Sequence, residues 1–392
     1  MRPTWRFFGK AADSCGLLGR KAFPPFGKAK PERWDNVYPR LVYHADTLAK
    51  NVQNVSSRCS RNGITLWGVT KGVCAHPRIA EIMVKNGCRG LMDSRLKNLE
   101  ALRKQDLRVP LWLLRIPMPS ELPGLVACAD GAVVSMGETV HLLNEACAER
   151  RHPFEVMLMV DIGDLREGIW PDEVDSLAET FNACPRIRCV GVAANWGCYG
   201  GIIPTRENEK LLISVGRLLE ERLGQPLTYF SGGNTSALSV LEREELPSRI
   251  NHLRIGEGLL LGTDVTNIRS FSWLRQDTME FQAEIVELRR KPSVPLGEQG
   301  ADAFGNVPQF EDRGVRLRAI VALGRQDVRL EGLTPLDPRM SILGASSDHM
   351  ILDVEEADSL RVGDVISFRP DYGAMLQGAT SAYVEKCVLE EE

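Results

Sequence analysis

Lys71 stands at the end of a short apolar run, Ile64-Thr-Leu-Trp-Gly-Val69, and is followed at once by Gly72. Apolar and β-branched residues over that length predict a buried strand. An ammonium at the end of such a strand loses hydration, which lowers its pKa and favours the neutral amine that attacks a carbonyl. A lysine that merely snorkels from the strand end is the plain alternative. Further along, Phe230-Ser-Gly-Gly-Asn-Thr-Ser-Ala237 follows another apolar run and opens a helix. Its glycines, hydroxyls and backbone amides make an anion cradle suited to a phosphate, although a glycine-rich N-cap has the same composition. Arg254-Ile-Gly256-Glu-Gly258 supplies a second glycine-rich turn and an arginine that needs an acceptor. Against a carboxylate that arginine is structural; facing a heteroaromatic nitrogen it is catalytic. Asp161-Ile-Gly-Asp-Leu-Arg166-Glu-Gly168 suits the orientation of an anionic group, or closes on itself through an Asp–Arg pair. Asn195, in Asn-Trp-Gly-Cys-Tyr-Gly-Gly201, either bonds a ligand or caps its loop.

These segments need elements to hold them. Besides the Lys71 strand, apolar runs at residues 90–92, 110–114, 132–135, 155–161, 189–193, 227–230 and 252–255 read as strands. Helical periodicity fills 138–150, 172–182 and 208–223 between them. Eight strands alternating with helices predict an α/β fold, a (β/α)8 TIM-type barrel over residues 38–270 with its chemistry at the carboxyl ends of the strands. Residues 41–44 form a further strand candidate ahead of a helix. From Phe271 the pattern turns to alternation, at 279–287, 315–322, 350–354 and 365–368, which predicts a β-rich C-terminal domain over 271–392. Residues 291–314 form a long aperiodic loop, functional or disordered. A lysine after the first barrel strand, with phosphate cradles after the seventh and eighth, specifies pyridoxal 5'-phosphate as the cofactor.

The 392 residues suffice for a barrel of ~250 residues plus a second domain. A net charge of −4 argues against a nucleic-acid partner, and no apolar run approaches the ~18 residues of a membrane span. Ten cysteines without a paired CxxC pattern suit reduced thiols and a cytoplasmic protein. Residues 1–37 read as a basic extension: between Met1 and Lys30, Arg2, Arg6, Lys10, Arg20, Lys21, Lys28 and Lys30 face the single acid Asp13, a composition that also fits organellar targeting. Six histidines are too scattered for a metal site, and His349 beside Asp348 is the His–acid pair worth noting.

In the order of its segments, from about Tyr38 to Val388, the chain resembles the alanine racemase class of pyridoxal phosphate enzymes, and within it the ornithine racemase branch. The resemblance implies that Lys71 is the Schiff-base lysine and that Asp161, Gly163, Arg166 and Gly168 form an Asp-x-Gly-x-x-Arg-x-Gly signature whose arginine orients substrate and cofactor. It places Asn234, Thr235 and Gly256 at the phosphate, Arg254 at the pyridine nitrogen, Asn195 beside the ring, and Tyr383 as a further hydroxyl on the phosphate. A guanidinium does not release its proton, so the ring nitrogen stays unprotonated and racemisation outcompetes transamination. Two departures stand out. Arg325 occupies the position of the tyrosine that serves alanine racemases as the opposite-face base, which leaves Tyr372, His349 and Asp348 as candidates. Met159 replaces a lysine that is carbamylated in many relatives, so Arg166 needs another partner. The likeness further implies two-base racemisation of a basic amino acid, with Arg166, Asp348 and Arg325 contacting substrate, in a head-to-tail homodimer with a shared active site. The acid that meets a distal ammonium would be Asp348, Glu257, Glu298 or Asp302. The alternatives are a metal-assisted D-amino-acid dehydratase or aldolase of the same fold, and a non-catalytic pyridoxal phosphate-binding protein.

Overall fold

The computed structural model describes residues 37–390. The expectations for the basic stretch 1–36 lie outside the described residues. Strand β1 (Arg40–His44) comes first, then β2 (Thr65–Val69), β3 (Gly90–Asp93), β4 (Leu111–Leu113), β5 (Gly131–Val134), β6 (Phe154–Met159), β7 (Ile187–Ala193), β8 (Tyr229–Ser231) and β9 (His252–Ile255). Strands β2 to β9 pair in parallel and close into an eight-stranded barrel, with β9 returning to β2. All eight apolar runs of the sequence are barrel strands. The helices between them turn one apolar stripe inward. Arg206–Leu223, for example, buries Leu212, Val215 and Leu219. It starts where the Thr205 hydroxyl accepts from the Asn208 amide at 3.3 Å and stops at Gly224, whose φ of +64° a side chain would resist.

The barrel interior is filled by Trp67, Val69, Met92, Trp112, Val133, Met157, Met159, Val190 and Ala193. Trp67 and Trp112 meet edge to face at 5.3 Å. Both fit because the neighbouring strand offers glycine: a Cβ on Gly90 would lie 2.5 Å from the Trp67 ring, and one on Gly131 would lie 2.3 Å from Trp112. Large side chains facing small ones make a plug rather than a pore, so ligands are confined to the strand ends.

A short pair, β10 (Thr263–Asp264) and β11 (Arg269–Ser270), follows the barrel. The second domain comprises β12 (Met279–Pro292), β13 (Val315–Val321), β14 (Leu333–Pro335), β15 (Ser341–Ala345), β16 (Met350–Asp353), β17 (Val365–Pro370) and β18 (Glu385–Leu389). Six of them run antiparallel in the order β14-β17-β12-β13-β16-β15. The four alternating segments of the sequence correspond to β12, β13, β16 and β17. The aperiodic loop is the excursion between β12 and β13, whose ends pair Pro292 with Val315.

One boundary differs from expectation. Strand β1, placed in the 38–270 unit by the sequence, pairs antiparallel with β12 and parallel with β18. The physical reason is that Leu41, Val42 and Tyr43 are all buried and need partners on both sides, whereas the closed barrel has no open edge to give. Helix Tyr372–Thr380, capped where the Asp371 carboxylate accepts from the Ala374 amide at 2.8 Å, brings the second domain to the barrel mouth. Met375 of this helix packs on Gly72, where a Cβ would come within 2.7 Å of its Cε.

Candidate active site

Lys71 opens a single 3-10 turn directly after β2. The turn is held from the neighbouring strand: Thr70 Oγ1 donates to Asp93 Oδ2 at 2.7 Å, while Asp93 Oδ1 accepts from the Arg95 amide at 3.0 Å and Asn98 Nδ2 at 2.9 Å. Asp93 is fully buried, yet these donors satisfy it. The Lys71 amine has no hydrogen-bond partner among the described residues. Burial pushes its pKa down and Arg166 pushes the same way, while Cys198, Asp93 and Glu167 oppose them. A depressed, unpartnered amine is what carbonyl attack requires.

The two glycine-rich turns are tied to each other. Thr235 Oγ1 accepts from the Gly258 amide at 3.0 Å. Asn234 bridges to the next loop, its Nδ2 donating to the Trp196 carbonyl at 2.8 Å while its Oδ1 accepts from the Ser236 amide at 3.2 Å. Gly256 lies against Val69, whose Cβ a side chain there would approach to 3.2 Å. The backbone amides of Thr235 and Gly256 find no acceptor among the described residues, so both remain available to an anion.

Arg254 is buried at 2% exposure with no carboxylate in ion-pair range. Its Nε donates to Ser231 Oγ at 2.9 Å and its Nη2 to the Ala194 carbonyl. Nη1 has no acceptor among the described residues. Burial pulls its pKa down to about 10, against the attraction of Glu167, and leaves it charged at neutral pH. Of the two readings open for this arginine, the salt-bridged one finds no partner.

The Asp-x-Gly-x-x-Arg-x-Gly loop is built by its own members. Asp161 Oδ1 accepts from the amides of Gly163 at 2.9 Å and Leu165 at 3.2 Å. Gly168 has φ +143°, and a Cβ there would sit 2.3 Å from the Asp161 nitrogen, so only glycine lets the chain return along β6. Asp164 accepts from the amides of Cys198, Tyr199 and Gly200 and stitches this loop to the next. Neither aspartate pairs with Arg166. Its partner is Glu167: Arg166 Nη2 donates to Oε1 at 2.7 Å and Nε lies 2.5 Å from Oε2, a bidentate pair. Asn195 Nδ2 donates to the same Oε1 at 2.6 Å. Burial raises the Glu167 pKa, with Arg166 and Arg254 pulling it back. Glu167 thus takes up the arginine that Met159, buried in the barrel plug, leaves without a partner. Glu167 was passed over in the sequence because two adjacent residues of opposite charge give no local sign that their side chains meet.

One cavity of about 600 Å³ is lined by Lys71, Arg166, Glu167, Asn195, Asn234, Thr235, Arg254, Gly256, Glu257 and Tyr372. Burial, aided by Glu257, pushes the Tyr372 phenol up to about 12. Four other candidates lie outside this cavity. Tyr383 is 72% exposed. His349 and Asp348 are exposed and face each other at 3.3 Å. Arg325 pairs with Glu331 at 2.8 Å and stacks over Phe304. Tyr383 as a phosphate ligand is therefore corrected for its own chain: the structure puts Tyr372, not Tyr383, in the cavity, because the helix after β17 carries 372 inward and ends before 383. Among the described residues no three His, Cys, Asp or Glu side chains come together as a metal site.

Residues 43–264 match the family model described as alanine racemase, N-terminal domain. The chain belongs to the alanine racemase family. It is 43% identical over 350 residues to a lysine racemase of Thermotoga maritima, covering 89% of this chain and 98% of that one. It is 38% identical over 357 residues to an ornithine racemase of Acetoanaerobium sticklandii, covering 90% and 100%. The fold is that of solved alanine racemases, among them one from Clostridium difficile 630 (TM-score 0.72, 17% identity, 91% and 97% coverage) and one from Bartonella henselae with covalently bound pyridoxal phosphate (TM-score 0.68, 14% identity, 90% and 100%). The cavity fits pyridoxal phosphate on its own chemistry. It holds an unpartnered amine, two amides without acceptors, and a buried guanidinium with a donor to spare for a ring nitrogen.

Proposed function

We propose that the protein is a pyridoxal phosphate-dependent racemase of a basic amino acid. The observation that carries this reading is the convergence of Lys71, the Thr235 and Gly256 amides, and the unsaturated Arg254 guanidinium on one cavity. The relatives named lysine racemase and ornithine racemase support the substrate class. When bound, the cofactor supplies an electron sink that acidifies the substrate Cα–H.

The chain's own residues do the rest. The Thr235 and Gly256 amides and the Asn234 loop would hold the phosphate of the bound cofactor, and Arg254 would offer its spare donor to the ring nitrogen without giving up its proton. Asn195 fixes Glu167, which in turn sets the plane of Arg166 for the substrate carboxylate. Lys71 takes or returns the Cα proton on one face, and its lowered pKa favours the neutral amine that a base must be. On the opposite face Tyr372 is the group in this cavity, and with its pKa pushed up it serves best as a proton donor. His349, Asp348 and Arg325, distant from their own cavity, act in this reading at the cavity of a second copy in a head-to-tail homodimer. Incubation with pyridoxal phosphate and separate L-amino acids, followed by chiral chromatography, tests the activity. D-ornithine or D-lysine is expected, and the absence of any D-product would overturn it. Mixing Lys71→Ala and His349→Ala subunits tests the shared site: activity restored in the mixture is expected, and none would retire His349 from it.

A further inference from the structure

We propose that Glu257 accepts the distal ammonium of the substrate and so sets the preference for basic amino acids. The inference rests on the racemase reading above. Four acids were open from the sequence, and the structure separates them. Asp302 lies in the long loop outside the cavity and accepts from the amides of Phe304 and Asn306, and Glu298 is exposed in the same loop. Asp348 is exposed and held by the hydroxyls of Ser346 and Ser347. Glu257 alone of the four lines the cavity that holds Lys71.

The cavity has one other acid, Glu167, and the two are differently engaged. Glu167 is saturated by Arg166 and Asn195. Glu257 uses one oxygen, Oε1, to accept from Thr263 Oγ1 at 2.6 Å and from the Val265 amide at 3.0 Å, which fixes the side chain. Its Oε2 accepts nothing from the described residues. No cation among the described residues pairs with Glu257; the carboxylates Asp264 and Asp371 act on it instead, and the second of these is bound by Arg329. Half-buried carboxylates without a counter-cation are uncommon because their desolvation goes uncompensated. A ligand ammonium would supply both the charge and the missing donor. Glu257 opens the helix after β9, the barrel strand beside the β2 end that carries Lys71, and lines the same cavity as Tyr372 of the second-domain helix.

The test is a two-way truncation on the cofactor-loaded protein, wild type and Glu257→Gln. Each is titrated with L-ornithine and with L-norvaline, which has the same carbon skeleton without the ammonium, following the visible absorption of the bound cofactor, and racemisation of ornithine and alanine is measured alongside. In the wild type, ornithine is expected to half-saturate at a concentration about tenfold to a hundredfold below norvaline, as a charge-assisted hydrogen bond implies. In Glu257→Gln the two ligands should converge, with alanine turnover changed less than about twofold. Because both ligands are compared on the same protein, a general loss of fold or cofactor cannot imitate convergence. Equal binding of the two by the wild type, or a preference that survives Glu257→Gln, would overturn the proposal. So would a variant that loses only cofactor affinity, which would assign Glu257 to the phosphate end. Wild-type protein that racemises no amino acid would instead sink the underlying reading.

Discussion

The mouth of the barrel and the outer rim of the second domain carry similar residue types in opposite conditions. At the mouth, Arg254 is buried and Lys71 half-buried, both are short of acceptors among the described residues, and neighbours one strand away hold them. At the rim, Asp348, His349 and Tyr383 are exposed and Arg325 is half-buried; Arg325 pairs with Glu331, and Asp348 with His349. A buried ionisable group without a partner costs folding energy that nothing in the free chain returns, which marks it for a ligand. An exposed pair costs little and by itself says little. The barrel mouth is therefore prepared within one chain, while any role for the rim depends on a second copy.

That contrast can be broken in several places. Lys71→Ala should have the largest effect, lowering racemisation at least about 10³-fold and removing the visible absorption of the lysine-bound cofactor; a variant that keeps both would dissolve the assignment of the mouth. Arg254→Ala should weaken cofactor affinity by about tenfold to a hundredfold, measured by equilibrium titration. Arg254→Lys should not restore it, because an ammonium cannot donate to Ser231, Ala194 and the cavity in the same fork. Glu167→Gln should raise KM about fivefold to tenfold by freeing Arg166 while leaving fold stability nearly unchanged, since the pair is partly exposed. If Tyr383→Phe, at the rim, changed activity by more than about twofold, the rim would join the site by another route.

A further prediction concerns the barrel wall beneath the phosphate cradle. Glu209 is fully buried, neither of its oxygens has a hydrogen-bond partner among the described residues, and burial raises its pKa well above 4.5. Its folded-state pKa exceeds the unfolded one, so the stability it allows is complete below about pH 4.5 and declines as pH rises toward the folded value. Glu209→Gln should remove that slope. Calorimetry should find the variant's Tm a few degrees above wild type at pH 8 and little different at pH 4.5.

How much of this could be read beforehand depended on the range of the forces involved. The eight barrel strands were legible because each is a short buried run whose apolar residues announce themselves locally. The turns bearing Lys71, Asn234, Thr235 and Gly256 were legible because glycine and hydroxyl chemistry is local as well. Glu167 was not, since adjacent charges of opposite sign carry no local signal that they pair or that a third residue, Asn195, joins them. Asp93, which holds Thr70 and thereby Lys71, was missed for a related reason: its partners lie on an adjacent strand and in the following helix. Choosing between Tyr372 and Tyr383 needed the helix after β17, whose sequence shows no clear amphipathic stripe. Strand β1 was recognised as a strand but grouped with the 38–270 unit, because both its partners, β12 and β18, lie more than two hundred residues further along.

The placement of β1 has a consequence for how the molecule is made. Its parallel neighbour β18 is the last strand of the chain, so on the ribosome the first strand emerges with its partner still untranslated. The barrel, whose neighbouring strands follow one another in order, can assemble as it appears, while β1 must wait with Leu41 and Tyr43 uncovered. Contacts between distant positions form slowly because the intervening chain must first be brought together. A circular permutant that joins the end of β18 to the start of β1 through a crossover linker of roughly a dozen residues would shorten that wait, and faster recovery of the second sheet on refolding would be its signature.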